Sequence, residues 1–178
     1  EAVKEQIERD GGVAHAFALD VADYGAVQSM ASSVLDRHGR IDVLVNNAGH
    51  SSTHRKLLTT TPGEIRAVVD SNLVGTIFCT QAVVPSMLEQ KQGTIINLSS
   101  LAGISPGIVG GMIYSAAKAA IINFTEYLNA ELKNTGIRAS VLIPGEVDTP
   151  ALDRRPIPPS KEARAHMVSA EHAAEVIT

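Results

Sequence analysis

The chain has 178 residues, of which 44% are hydrophobic and 19% charged, a composition that suits one globular domain with a sizeable core. Its net charge of −4 and its lack of a Lys/Arg cluster argue against a nucleic-acid partner, and no apolar run reaches the length that spans a membrane. The only cysteine, Cys79, excludes an internal disulfide framework and a thiolate zinc site, which indicates a reducing, cytoplasmic compartment.

The first segments are predicted to be a helix and a strand. Residues 1–9 place Val3 and Ile7 on one face and are followed by Gly11-Gly12, the pattern of a helix that ends there. Residues 13–19 are predicted to form the first strand. Asp20 follows its tip, where a carboxylate can close a turn, cap the next helix or contact a ligand.

A second helix and strand lead into a loop rich in amides. Residues 24–38 carry apolar side chains at helical spacing and are closed by Gly39, and residues 41–45 form the next predicted strand. The strand runs into Asn46-Asn47-Ala48-Gly49. Small and amide residues at a strand end allow a ligand to approach the backbone closely, although an Asn-rich turn is the simpler interpretation.

Two histidines in the following segment have the spacing of metal ligands on a helix. His50 and His54 lie in a polar stretch without an acidic or thiolate neighbour. We therefore predict a solvated loop and no metal site.

A long helix is predicted from residue 62 to residue 90. Thr61 and Glu64 form a capping box with Pro62 at the first helical position, while Pro85 is expected to bend or interrupt the helix. Asn72 falls among core positions of this helix, so its amide requires a partner.

A strand, a glycine-rich loop and a helix then follow. Residues 93–98 read as a buried strand, which places Ser100 at its carboxyl end. The loop 103–111 resembles a dinucleotide fingerprint but lacks its glycine spacing, so we interpret it as a flexible substrate-side loop. Its apolar residues suggest a pocket for hydrophobic alcohols or ketones: Ile104, Ile108, Val109 and Met112.

The helix predicted over residues 114–134 brings a phenol beside an amine. Tyr114 and Lys118 are four residues apart and lie on one face. A nearby cation favours the phenolate and lowers a pKa that is ordinarily about 10, which suits general acid-base catalysis. A serine hydroxyl close by could hold a substrate oxygen.

The last segments comprise a strand, a turn and a lid. Residues 137–143 are predicted to form a strand followed by Pro144-Gly145, at the edge where open α/β sheets bind ligands. Residues 151–167 have the charge and proline content of a mobile lid, or of a surface excursion, and become helical from about Ser160. Ser169 is expected to cap a final helix over residues 171–177.

These motifs occur in an order that resembles the short-chain dehydrogenases/reductases of the compact, classical type. Tyr-x-x-x-Lys alone is weak, but the set from Asp20 to Thr149 is specific: Asn46-Asn-Ala-Gly49, Asn72, Ser100, Tyr114-x-x-x-Lys118 and Pro144-Gly145. The resemblance implies an α/β fold, a Rossmann-like doubly wound parallel sheet in a single domain over residues 1–178. It also implies a homodimer or homotetramer formed through the two long helices.

The resemblance assigns roles residue by residue. It implies hydride transfer between NAD or NADP and a small alcohol or ketone substrate. The implied catalytic residues are Asn72, Ser100, Tyr114 and Lys118. The implied cofactor-binding residues are Asp20, Val21, Asn47, Ala48, Gly49, Tyr114, Lys118, Pro144, Gly145, Val147 and Thr149. The spacing from Ser100 to Tyr114 exceeds the commonest family spacing by one residue, which keeps Ser99 as an alternative.

Parts of the family pattern are missing, so we expect the chain to be truncated at both ends. The first two strands with their glycine-rich turn, and the last strand, are not found. In the family's strand order the strands at residues 13–19 and 41–45 would lie roughly 14 Å apart, and such a chain is not expected to fold alone.

Two further functional hypotheses remain. The chain could be a non-catalytic nucleotide-binding relative, such as a sensor or scaffold, although a complete set of Ser, Tyr, Lys and Asn argues against this. A sugar-nucleotide epimerase shares Tyr-x-x-x-Lys but ordinarily has a longer substrate region.

Overall fold

The computed structural model describes residues 2–177, so residue 1, where the first predicted helix begins, and residue 178 lie outside it. The elements alternate between helices and strands as predicted for an α/β protein. In chain order they are α1 (Ala2–Arg9), α2 (Tyr24–His38), β1 (Val43–Asn46), α3 (Pro62–Val69), a π-helical turn (Asp70–Val74), α4 (Gly75–Gln90), β2 (Gly93–Leu98), a 3-10 turn (Leu101–Gly103), α5 (Met112–Glu131), β3 (Ile137–Leu142), β4 (Val147–Asp148), a second 3-10 turn (Pro150–Arg154), α6 (Lys161–Arg164), β5 (Val168–Ser169) and α7 (Ala170–Glu175).

The main sheet has three parallel strands in the order β1-β2-β3. Leu44 of β1 lies opposite Ile95 of β2, which in turn lies opposite Ala139 of β3. Parallel strands require long crossovers, and here α4 and α5 supply them. The fully buried Met87 and Ile95 lie in the core between these helices and the sheet. A second parallel pair joins β4 to β5.

The strand predicted over residues 13–19 is wrong. These residues form no strand, and Val13 and Phe17 are exposed. A strand exists only through hydrogen bonds to a neighbour, and no described strand lies beside this segment. The outer edge of β1 is likewise unpaired among residues 2–177, where the exposed fractions of Val43 and Val45 are 52% and 40%.

The long helix begins at the predicted capping box. The Thr61 hydroxyl accepts a hydrogen bond from the Glu64 amide at 3.2 Å, and the Glu64 carboxylate accepts one from the Thr61 amide at 3.0 Å. The helix continues through Pro85 to Gln90 and is not interrupted there. The sequence did not predict the π-helical turn, which contains Asn72. Such turns are rare and frequently mark functional sites.

By length and composition alone, the helix Pro62–Gln90 could cross a membrane. Uninterrupted apolar runs do not reveal this property, because polar residues are interspersed along the helix. However, 44% of the most apolar window of the helix is buried inside the protein, as in a core helix, so its length does not by itself indicate a membrane segment.

A chain of buried side chains fixes the ends of β1 and β2. The Asn46 amide donates a hydrogen bond to the side-chain oxygen of Asn97 at 2.9 Å, and the Asn97 amide donates to the Thr125 hydroxyl on α5 at 2.9 Å. Because buried amides are costly without partners, this chain holds the two strand ends and the start of the site in one arrangement.

Candidate active site

A cleft of about 850 Å³ lies at the carboxyl ends of the three main strands. Its walls come from within residues 47–55, 98–110 and 144–155, together with Asn72, Tyr114 and Lys118. This is the edge at which parallel α/β sheets bind ligands. The structure therefore gathers residues from distant parts of the sequence around one opening.

The side chains of Ser100 and Tyr114 meet in this cleft. Tyr114 lies in the first turn of α5 and lines the cleft together with Ser100, which follows β2 and whose hydroxyl acts to lower the pKa of the phenol. The neighbouring Ser99 points elsewhere, since its buried hydroxyl donates to the carbonyl oxygen of Lys118 at 2.7 Å. Of the two serines, the structure therefore places Ser100 beside the phenol.

Lys118 is buried directly behind the phenol. Its exposed fraction is 4%, and its amine donates a hydrogen bond to the carbonyl oxygen of Leu98 at 2.6 Å. The nitrogen lies 5.6 Å from the centre of the Tyr114 ring. Burial disfavours the charged amine and lowers the pKa of Lys118 to about 8.

The pKa of Tyr114 differs from the expectation drawn from the Tyr-Lys spacing. Burial raises the pKa of this phenol above its ordinary value. The hydrogen bond with Ser100 and the positive charges of Arg155 and Arg55 oppose that effect. The effect of burial on the phenol is therefore larger than the lowering that the spacing to Lys118 predicted.

Asn72 is fully buried at the floor of the cleft. Its amide nitrogen donates hydrogen bonds to the carbonyl oxygens of His50 and Val68, both at 2.8 Å. Its side-chain oxygen accepts no hydrogen bond from the described residues. A Cβ atom at Gly49 would lie only 2.3 Å from that oxygen, so this position requires glycine. The orphaned oxygen and the close-set glycine fit a site that receives a polar ligand.

The predicted cofactor-binding residues divide into two groups. The cleft is lined by Asn47, Gly49, Pro144, Gly145, Val147 and Thr149. Asp20, Val21 and Ala48 do not line it. The Asp20 carboxylate instead accepts the amide of Ala22 at 2.9 Å, the turn that the sequence left as an alternative, and Val21 packs closely against Gly75.

Two arginines of the cleft were missed by the sequence analysis. The Arg55 guanidinium donates to the carbonyl oxygen of Val109, and the Ser51 hydroxyl donates to that of Gly110 at 3.0 Å, so the segment after β1 holds the glycine-rich loop. Arg155 forms an ion pair with Glu146 at 2.8 Å. The local sequence does not mark either arginine as a site residue. The partner of Arg55, Val109, lies far along the chain, and the partner of Arg155, Glu146, lies in a different turn.

The histidine segment has an acidic partner that the sequence did not reveal. The His54 ring nitrogen lies 3.1 Å from the Glu64 carboxylate, ten residues further along the chain. Within residues 2–177 no group of three or more His, Cys, Asp or Glu side chains could hold a metal ion.

The predicted apolar pocket is also corrected. Of the four residues proposed for it, only Val109 lines the cleft. Ile104 and Ile108 are turned outward, with exposed fractions of 60% and 75%. Backbone carbonyls of the loop are tied down by Arg55 and Ser51, which leaves these side chains on the outer surface.

Comparison with known proteins decides the family. The family model described as short chain dehydrogenase matches residues 1–157. The chain belongs to the short-chain dehydrogenase family. This confirms the resemblance read from the sequence, and the parallel sheet with flanking helices confirms the Rossmann-like fold class.

Several characterised relatives of this short-chain dehydrogenase are similar in sequence. The 3-oxoacyl-[acyl-carrier-protein] reductase of Synechocystis sp. is 42% identical over 84% of this chain and 60% of its own length. The 2-dehydro-3-deoxy-L-rhamnonate dehydrogenase (NAD(+)) of Sphingomonas sp. is 37% identical over 80% of this chain and 57% of its own length. The chain thus spans about 60% of the length of the curated relatives it matches.

Solved structures show the same fold. A metagenomic short-chain oxidoreductase in complex with NADP is 37% identical, with a TM-score of 0.76 over 82% of this chain and 65% of its own. An NAD+-bound xylitol dehydrogenase is 28% identical, with a TM-score of 0.80 over 83% of this chain and 56% of its own.

Proposed function

We propose that this short-chain dehydrogenase transfers a hydride between NAD or NADP and the carbon of a small alcohol or ketone, with Tyr114 passing the proton. The observation that carries the proposal is that Ser100, Tyr114 and Lys118 line one cleft, where the Ser100 hydroxyl favours the ionised form of the phenol. Family membership and the oxidoreductase names of the relatives support it.

In the proposed reduction, Tyr114 gives its proton to the carbonyl oxygen while the carbon receives the hydride. The raised pKa of the phenol keeps it protonated near neutrality, as a proton donor must be. The Ser100 hydroxyl donates a hydrogen bond to the same oxygen. In the oxidation direction the phenolate accepts the alcohol proton, and the charges of Arg55 and Arg155 stabilise that anion.

Lys118 and Asn72 are proposed to resupply the proton. The Lys118 amine, held by the Leu98 carbonyl, lies behind the ring and carries an exchangeable proton near neutral pH. The Asn72 side-chain oxygen is an acceptor that the described residues leave without a donor. The π-helical turn fixes that oxygen by tying the amide nitrogen to His50 and Val68.

The residues present fit a nicotinamide cofactor. A bound nicotinamide supplies or accepts the hydride, which no side chain of the chain can do. Of the lining residues, Gly49 and Gly145 would let the backbone lie close to the ligand, Lys118 would bind the ribose, and Val147 and Thr149 would contact the carboxamide and the pyrophosphate. Relatives solved with NADP and with NAD+ support either dinucleotide.

Replacing Tyr114 tests the proposed function. In the full-length protein we expect Tyr114→Phe to lower kcat by about 10²-fold to 10⁴-fold, because it removes only the acidic proton. Turnover is followed by the absorbance of the reduced cofactor, and cofactor binding by calorimetry. Tyr24→Phe, at an exposed phenol that does not line the cleft, is the matched control and should be fully active. Cofactor binding without turnover in the wild type would favour a sensor or scaffold.

Other proposals concern the surroundings of the site. The outer face of α5 exposes Ala116, Ala119 and Tyr127, which supports packing against a second copy in a homodimer or homotetramer. Residues 151–167 are proposed to act as a lid over bound ligand, since Leu152, Arg154 and Arg155 already line the cleft. The free thiol of Cys79 supports a cytoplasmic location.

A further inference from the structure

The walls of the cleft are positively charged although the chain as a whole is negative. Four basic side chains line the cleft, Arg55, Lys118, Arg154 and Arg155, against one carboxylate, Glu146. The chain carries a net charge of −4. A charge of one sign inside a cleft attracts ligands of the opposite sign, since low-dielectric walls focus the field.

Two of these cations, Arg55 and Arg155, line the cleft together with Ser100 and Tyr114. Arg55 and Arg155 each act on the Tyr114 phenol through their charge, and the charge of Arg155 also acts on Arg55. They approach Tyr114 from different segments, one after β1 and the other after β4. Two guanidinium groups in the cleft that contains Tyr114 and Ser100 give its walls a positive potential.

The bonds that hold these arginines leave guanidinium donors free, and they leave the charge of Arg55 without a carboxylate partner among the described residues. The described hydrogen bonds of Arg55 go to the carbonyl oxygens of Val109 and Ser52, which fix the side chain without neutralising it. Arg155 pairs with Glu146, whose side chain is 54% exposed, through one of its guanidinium nitrogens. The side chain of Arg155 is itself only 20% exposed. Both guanidinium groups are therefore held at the cleft with donors to spare.

We infer that the substrate is a hydroxy or oxo acid whose carboxylate binds to Arg55 and Arg155 while its alcohol or carbonyl oxygen meets Tyr114 and Ser100. The inference rests on the proposed function and adds the charge of the substrate to it. Guanidinium groups bind carboxylates through paired hydrogen bonds of well-defined geometry. Ile104 and Ile108, which the sequence suggested as part of an apolar pocket, do not line the cleft.

A matched pair of probes tests the inference on the full-length protein with cofactor bound. The probes are 3-oxobutanoate and its uncharged ethyl ester, compared by calorimetric Kd and by cofactor oxidation. We expect the acid to bind at least about tenfold more tightly than the ester, a difference of about 1.4 kcal/mol. Arg155→Gln and Arg55→Gln should bring the two affinities close together. Arg138→Gln, at an exposed position of β3 outside the cleft, should leave the preference unchanged.

The outcomes separate the inference from the proposed function. Equal affinity of the wild type for acid and ester overturns the inference, even if both are reduced. Preference for the acid without any cofactor oxidation supports the carboxylate site and contradicts the dehydrogenase proposal for this compound. If the arginine variants weaken NAD+ or NADP+ binding and leave the acid preference intact, the arginines serve the cofactor phosphates and the inference is overturned. Arg55→Lys keeps the positive charge but changes the hydrogen bonds to the glycine-rich loop. If Arg55→Gln loses the preference for the acid and Arg55→Lys keeps it, the charge is responsible; if both lose it, disorder of the loop is responsible.

Discussion

The amine of Lys118 lies 2.6 Å from the carbonyl oxygen of Leu98 and 5.6 Å from the centre of the Tyr114 ring. One lysine thus connects the end of β2 to the first turn of α5, the two elements that carry Ser100 and Tyr114. Burial takes this amine out of water and disfavours its charged form, which lowers its pKa to about 8.

This pKa predicts a pH limit on activity. The amine is charged below about pH 8 and loses its proton as the pH rises through that value. If the ammonium is needed to resupply Tyr114, kcat for ketone reduction should fall as pH rises above about 8. Lys118→Arg, whose charge persists, should move the fall to higher pH. A pH profile of kcat measures both, and a wild-type profile that stays flat to about pH 10 contradicts the prediction.

The same lysine should cost stability near neutral pH. Its pKa is lower in the folded chain than in the unfolded one, so the unfolded chain binds more protons between about pH 8 and pH 10.5, and this contribution to stability rises with pH through that window. Lys118→Met removes the buried charge but also the bond to Leu98. We expect it to raise the free energy of unfolding at about pH 7 by roughly 1–2 kcal/mol while abolishing turnover. Urea unfolding of the full-length protein measures the change, and Lys133→Met at an exposed site is the control.

Ser100 and Ser99 offer a test of adjacent hydroxyls with different partners. Ser100→Ala removes the bond to Tyr114, so kcat should fall by about 10²-fold with a loss of stability of at most about 1 kcal/mol from the lost cap on Ala102. Ser99→Ala removes a buried bond to Lys118 and should lower the free energy of unfolding by about 1–3 kcal/mol with a smaller change in kcat. Measuring kcat and thermal unfolding of both variants shows which serine affects catalysis and which affects stability. The reverse pattern would assign the substrate oxygen to Ser99.

Asn72 should be sensitive to the chemistry of its amide nitrogen. Asn72→Ala leaves the carbonyls of His50 and Val68 without their donor. It should lower the free energy of unfolding by roughly 2–4 kcal/mol. Asn72→Asp keeps the shape but turns an acceptor toward those carbonyls, so it should cost more at about pH 7. Protonation of the aspartate restores one donor. The difference in free energy of unfolding between Asn72→Asp and the wild type should therefore narrow as pH falls toward about 5, whereas the difference for Asn72→Ala should not. Urea unfolding at both pH values measures this.

Glu64 should contribute to stability in a defined acidic range. The backbone amides of His54 and Thr61 donate to its carboxylate and lower its pKa to about 2. Because this value lies below that of the unfolded chain, the contribution is complete above about pH 4.5 and is lost as pH falls toward 2. Glu64→Gln should therefore lower Tm near neutral pH, and the difference from the wild type should shrink below about pH 4.5. Glu126→Gln, on the exposed face of α5, should show no such convergence.

Local sequence signals predicted the elements that position the site. Residues 93–98 form β2 with the predicted bounds because a β-branched run stands between a glycine and two serines. Thr61 and Glu64 mark the start of the long helix because the capping box is completed within four residues. These signals place Ser100 at a strand end and Tyr114 at a helix start, and the structure brings the two side chains together.

Features that depend on distant partners could not be read from the sequence. A strand over residues 13–19 requires a neighbour that no local pattern specifies. The bond from Arg55 to Val109 joins residues 54 positions apart. The pKa of Tyr114 follows from its burial, which the spacing to Lys118 does not reveal. The roles of the individual site residues stay predictions until the variants are measured.

The π-helical turn at Asp70–Val74 has a geometric consequence for the whole long helix. Each residue of an α-helix advances about 100° around the axis. A wider π-helical turn therefore rotates the side chains that precede it relative to those that follow it. The first part, α3, packs against α5, while α4 packs against α2 and the strands. The π-helical turn therefore lets the apolar face of α3 point toward one set of neighbours and that of α4 toward another. Deleting a single residue in the turn would rotate α3 and α4 relative to each other about the helix axis.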